Sequence, residues 1–129
     1  MKSLKTPLRY PGGKSRAVPK LFEFLPPNIS EFREPFLGGG SVAIAITKQY
    51  PGIPVWVNDL YEPLVNFWQV LQKNADTLAL DLSDLKKEYD NPVKAKELFQ
   101  SFKETLNEGD EIDRAVRFYT INKCSFSGL

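Results

Sequence analysis

Gly38, Gly40 and Asp59 are the residues whose types and spacing most plainly suggest chemistry. Gly38-x-Gly40-x-x-Ala43 fits the pattern G-x-G-x-x-G/A, and Asp59 follows Gly40 by nineteen residues. Glycines so placed let the backbone approach a ligand with no Cβ in the way. A carboxylate about twenty residues further on can accept hydrogen bonds from both hydroxyls of a ribose. The pair therefore points to a nucleotide or nucleoside ligand. On residues alone two other readings stay open: a glycine-rich turn beside a surface acid, and a dinucleotide site in an oxidoreductase. Glu34-Pro35 bears on the choice. A carboxylate just before the loop would repel a pyrophosphate and favour a cationic or zwitterionic ligand. S-adenosylmethionine, which carries a sulfonium and an ammonium, suits such a loop better.

A second stretch, Gly12-Gly13-Lys14-Ser15, resembles the end of a phosphate-binding P-loop. That motif requires G-x-x-x-x-G-K-[ST] after a buried strand. The first glycine would fall at position 8, which is Leu8, and the preceding ten residues are charged and contain Pro7. The P-loop reading fails on both counts, and turn chemistry accounts for the Pro-Gly-Gly. The chain has no histidine and a single cysteine, Cys124. This removes His-based acid–base work and Ser-His-Asp or Cys-His nucleophiles, offers no metal-ligand set, and fits a reducing cytoplasm.

Several elements must position these groups. A helix is expected from Ser15 to about Phe24, stopped by Pro26-Pro27. Residues 31–36 alternate as a strand. A helix follows the glycines over 41–50, with Ser41 as its cap. Residues 55–57, Val-Trp-Val, make a short buried strand ending at Asn58-Asp59. Residues 31–59 thus read as a βαβ unit. From residue 61 the period becomes helical. Leu64, Phe67, Trp68 and Leu71 form one stripe, Leu98, Phe102 and Leu106 a second, and Val116, Tyr119 and Thr120 a third after an acidic turn. Two strands are too few for a complete α/β sheet.

Net charge is only +1, but residues 1–20 hold six Lys/Arg and no acid. Residues 114–129 add Arg114, Arg117 and Lys123, again without an acid, while the middle is acidic. Basic ends of this kind suit a phosphate-bearing partner. No apolar run approaches the roughly 18 residues that span a bilayer, so no membrane partner is expected.

Four segments, RYPGGK (9–14), EPFLGGGSV (34–42), VND (57–59) and NKCSFSGL (122–129), together resemble the Dam-type adenine-specific DNA methyltransferases in order and spacing. The resemblance implies an α/β fold: the N-terminal part of a Rossmann-like, S-adenosylmethionine-dependent sheet over residues 1–60. A helical DNA target-recognition insertion, still incomplete, would occupy 61–129. It implies transfer of a methyl group to the N6 amine of an adenine flipped out of double-stranded DNA. It leaves room for a restriction endonuclease partner in the same system and implies a monomer at full length. Tyr10, Lys14, Phe36, Gly38, Gly40 and Asp59 would hold the cofactor. Arg9, Lys14, Asn122, Lys123, Ser125 and Ser127 would meet DNA. Lys123 stands where the family commonly has Arg, and Ser127 where it often has Asn. Lysine cannot make arginine's planar fork to guanine, so the resemblance does not fix the recognised sequence.

One family feature is missing. The catalytic Asp/Asn-Pro-Pro-Tyr/Phe motif does not occur in these residues. Leu25-Pro26-Pro27-Asn28 and Asp90-Asn91-Pro92-Val93 are its nearest approaches, and neither follows a strand. The chain is therefore expected to stop before that motif, to contain no catalytic residue, and to act alone only as a cofactor- or DNA-binding fragment.

Overall fold

The computed structural model describes residues 5–10 and 14–124. The chain divides into two compact units, Met1–Leu60 and Tyr61–Leu129. The first holds α1 (Val18–Phe22), β1 (Phe32–Glu34), α2 (Ser41–Gln49) and β2 (Val55–Val57). The second holds α3 (Glu62–Lys73), α4 (Ala75–Glu88), α5 (Pro92–Glu104) and α6 (Glu111–Cys124). The class is mixed α/β, with a two-stranded parallel sheet. No helix among the described residues is long and apolar enough to cross a membrane.

In the first unit β1 and β2 run parallel, with Phe32 opposite Val55, Arg33 opposite Trp56 and Glu34 opposite Val57. The ladder continues past both strands, since the Asn58 amide donates to the Glu34 carbonyl at 2.8 Å and Leu37 to that of Asn58 at 2.9 Å. β1 is shorter than the expected 31–36 because the Phe36 N–H, next in line for the ladder, turns to Glu34 Oε1, and Leu37 takes the Asn58 carbonyl in its place. α1 is likewise shorter than 15–24. Pro19 is tolerated only in a first turn, so the helix starts at Val18, and residues 23–25 close as tighter turns. α2 buries Ala43 and Ile46, and Leu8 of the N-terminal segment joins the buried set.

The expected Ser41 cap is corrected. The cap position belongs to Gly40, whose φ is +79°, and no side chain caps the helix. The chain reverses so tightly here that a left-handed residue must precede the helix. Ser41 is already its first helical residue.

The second unit is a helical cluster around Phe67, which is 1% exposed. Its ring lies 5.6 Å from that of Phe118 and 5.9 Å from that of Tyr119, the latter stacked at 18°. Leu64 and Val70 complete the buried face of α3, while Trp68 and Leu71 sit half-buried at its flank. α6 buries Ala115, Phe118, Thr120, Ile121 and Asn122, so of the expected Val116, Tyr119 and Thr120 line only Thr120 is buried, with Val116 and Tyr119 half-buried at its flank. A buried amide links two helices, with Asn66 Nδ2 donating to the Glu111 carbonyl at 2.9 Å. Asp110 and Asp113 exchange backbone-to-carboxylate bonds at 2.8 and 3.2 Å and so fix the start of α6.

Candidate functional site

The glycine loop between β1 and α2 is held by a carboxylate from the end of β2. The Gly38 N–H donates to Asp59 Oδ2 at 3.0 Å. Gly38 has φ +54°, in the left-handed region that side chains rarely enter. The loop also receives the N-terminal segment. A Cβ on Gly38 would stand 3.1 Å from Tyr10 Cε1, and one on Gly39 only 2.9 Å from Tyr10 Cβ. Thr6 Oγ1 donates to the Gly39 carbonyl. The three glycines therefore do two jobs. Gly38 and Gly40 supply left-handed turns, and Gly38 with Gly39 admits the tyrosine ring.

Beside the loop is a small cleft of about 60 Å³, lined by Tyr10, Lys14, Glu34, Phe36, Gly38 and Ser41 among others. The structure thus brings Tyr10, Lys14, Phe36 and Gly38 to one place, with Asp59 bonded to the loop and Gly40 starting α2. Phe36 stands 73% exposed at this cleft. Glu34 is buried, and its Oε1 accepts the Phe36 N–H at 3.3 Å and lies 3.8 Å from Lys14 Nζ.

Sequence reasoning weighs Glu34 only as a charge bearing on ligand choice. The strand alternation that turns it inward is the signal for a larger role. Among the described residues no group of His, Cys, Asp and Glu could hold a metal ion.

The donor set fits S-adenosylmethionine in kind. A carboxylate under a glycine loop suits a ribose, a second buried carboxylate suits an ammonium, and two aromatic rings suit a base. In volume the cleft would hold about two waters, at roughly 30 Å³ each in the liquid. Lys14, whose side chain is 51% exposed, can swing aside to admit a larger ligand.

The remaining sequence-predicted residues lie elsewhere. Arg9 is exposed in the N-terminal segment. Lys123 sits on α6 in the second unit, its Nζ 5.5 Å from the Tyr119 ring centre. Asn122, on the same helix, is 2% exposed. Ser125 and Ser127 lie outside the described residues, as do Pro11, Gly12 and Gly13 of the basic turn.

Comparison with known proteins matches residues 10–129 to a family model described as D12 class N6 adenine-specific DNA methyltransferase. The chain is 31% identical to the type II methyltransferase M.MjaIII of Methanocaldococcus jannaschii, over 95% of this chain and 46% of that protein. It is 25% identical to the type II methyltransferase M1.LlaDCHI of Lactococcus lactis subsp. cremoris, over 94% and 41% respectively. It is 28% identical to the DNA N-6-adenine-methyltransferase of Escherichia phage P1, over 94% and 15%. The chain spans less than half the length of each of these relatives.

Proposed function

The chain belongs to the D12 class N6 adenine-specific DNA methyltransferases, and from that we propose that it forms the cofactor-binding floor of a site-specific adenine methyltransferase. The observation that carries this reading is the Gly38–Asp59 bond, which ties a ligand-approachable loop to the acid at the end of the next strand. In this reading residues 1–60 begin a Rossmann-like sheet, and residues 61–129 contribute to target recognition. The cofactor is S-adenosylmethionine, which brings a methyl group activated on a sulfonium. Asp59 receives the ribose hydroxyls, and a carboxylate's four or so lone-pair positions let it do so beside the Gly38 N–H. Glu34 faces the ammonium end. Tyr10 and Phe36 flank the ligand and keep water from it.

The whole protein acts on double-stranded DNA, as modification partner of a restriction enzyme, in keeping with the type II names of two relatives. Arg9, Lys14, Asn122, Lys123, Ser125 and Ser127 are its DNA-facing groups in this reading. The transfer itself needs more. The N6 lone pair of adenine is delocalised into the ring, so the amine must be oriented by acceptors and the flipped base held by an aromatic ring. The Asp/Asn-Pro-Pro-Tyr/Phe motif that does this in the family is not in the sequence. The 129 residues alone are therefore expected to bind cofactor without turning over.

Isothermal calorimetry with S-adenosylmethionine and, separately, NAD tests the reading. Binding of the first at one site, with none of the second, is the expected result. The reverse would support a dinucleotide enzyme. Methylation of an adenine-containing duplex by the isolated chain would contradict the expected lack of turnover.

A further inference from the structure

Resting on the cofactor reading above, we propose that Lys14 is a shared cation: Glu34 holds it in the cofactor-free protein and yields it to a DNA phosphate when the cofactor's ammonium arrives. The two partners differ in how much each needs the other. The Glu34 side chain is 11% exposed, whereas that of Lys14 is 51% exposed. A buried carboxylate left without a cation or donors is costly. A half-exposed ammonium loses little on leaving, because water takes over its hydration. The separation of 3.8 Å is also long for an ion pair. Glu34 keeps the Phe36 N–H at 3.3 Å as one donor, so it favours a cation beside it but not this one in particular.

Space favours the exchange. Lys14 and Glu34 line the same cleft of about 60 Å³, so a ligand ammonium that approaches Glu34 competes with the lysine. The lysine stem is long and flexible, which lets its head swing to a new anion without moving the backbone. Lys14 lies in the basic N-terminal stretch, with Arg9 and Arg16 near it in sequence and no acid between residues 1 and 20. Once off Glu34 it meets DNA phosphate as an additional contact. Cofactor and DNA then strengthen each other's binding, as linkage requires.

Fluorescence anisotropy of an adenine-containing duplex, titrated with the full 129-residue chain over a range of salt concentrations, tests the proposal. Three conditions are compared: no ligand, S-adenosylhomocysteine, and methylthioadenosine, which keeps the nucleoside and thioether but has no ammonium. S-adenosylhomocysteine is expected to tighten DNA binding about fivefold, near the lower end of usual coupling. It should also steepen the plot of log affinity against log salt by about 0.9, the contribution of one phosphate contact. Methylthioadenosine is expected to bind by calorimetry and change neither quantity. Glu34→Gln should bind DNA without ligand as tightly as the liganded parent, and respond no further. Lys14→Ala, brought to saturation with S-adenosylhomocysteine, should show no DNA response.

Equal effects of the two nucleosides would overturn the hand-over, as would an unchanged slope with S-adenosylhomocysteine bound, or no DNA binding in any condition. Failure of both nucleosides to bind in calorimetry would instead sink the cofactor reading, and the hand-over with it.

Discussion

Asp59→Ala is expected to weaken S-adenosylmethionine binding by roughly 100-fold or more, measured by calorimetry. Two losses combine. The Gly38 N–H loses its carboxylate acceptor at 3.0 Å, so the loop no longer has a reason to keep its bound shape. The ribose loses its acceptor as well. Hydrogen bonds to a charged group contribute about 1.5–3 kcal/mol each, and every 1.4 kcal/mol is tenfold in affinity. Asp59→Asn separates the two effects. Its amide oxygen can still accept the Gly38 N–H, so the loop and the thermal stability of the first unit should be retained. Its NH2 would face the ribose hydroxyls as a donor in place of an acceptor, and affinity should still fall by about tenfold or more. If Asp59→Ala binds as tightly as the parent, the acid has no role in ligand recognition.

Phe67→Ala is the substitution expected to cost most in stability. Phe67 is 1% exposed and packs its ring against those of Trp68, Phe118 and Tyr119. Truncation of a buried phenylalanine costs about 3–5 kcal/mol through lost transfer energy and the cavity left behind. Small domains have only about 5–15 kcal/mol in total, so urea denaturation should show the second unit losing a large share of its stability. Phe36→Ala makes the contrast. Phe36 is largely exposed, and its truncation should leave stability within about 0.5 kcal/mol while reducing cofactor affinity. Equal stability losses for the two would mean that the aromatic cluster is not the anchor of the helical unit.

The order of elements in the first unit was legible because each has a local chemical sign. Glycines mark the turn, Val-Trp-Val marks the second strand, and Asp59 closes the pattern. Family membership was legible from the same segments. What could not be read was who packs on whom. The sequence offers Gly38 and Gly39 as room for a ligand; their closeness to Tyr10 depends on the N-terminal segment folding back across 28 or more residues. The Lys14–Glu34 pair arises the same way. Ser41 looked like a cap because its type favours that position. The positive φ of Gly40, which takes the cap instead, is a property of the loop as a whole.

In the helical unit a period of 3.6 residues leaves several faces nearly equivalent. The large side chain Trp68 drew the stripe toward itself, whereas Val70 is what the neighbouring helices cover. Asn122 is a DNA contact by the family resemblance, and it is 2% exposed on α6. Its burial depends on the partners of α6, which no local pattern reveals.

The most direct measurement of cofactor binding at the glycine loop is a titration of the 15N-labelled chain with S-adenosylhomocysteine, followed by amide chemical shifts. The largest changes are expected at Gly38, Gly39, Gly40 and Tyr10, with smaller ones at Asn58 and Asp59, and little on α4 and α5. Shifts confined to the helical unit, or none at saturating ligand, would contradict the assignment of the glycine loop as the cofactor floor.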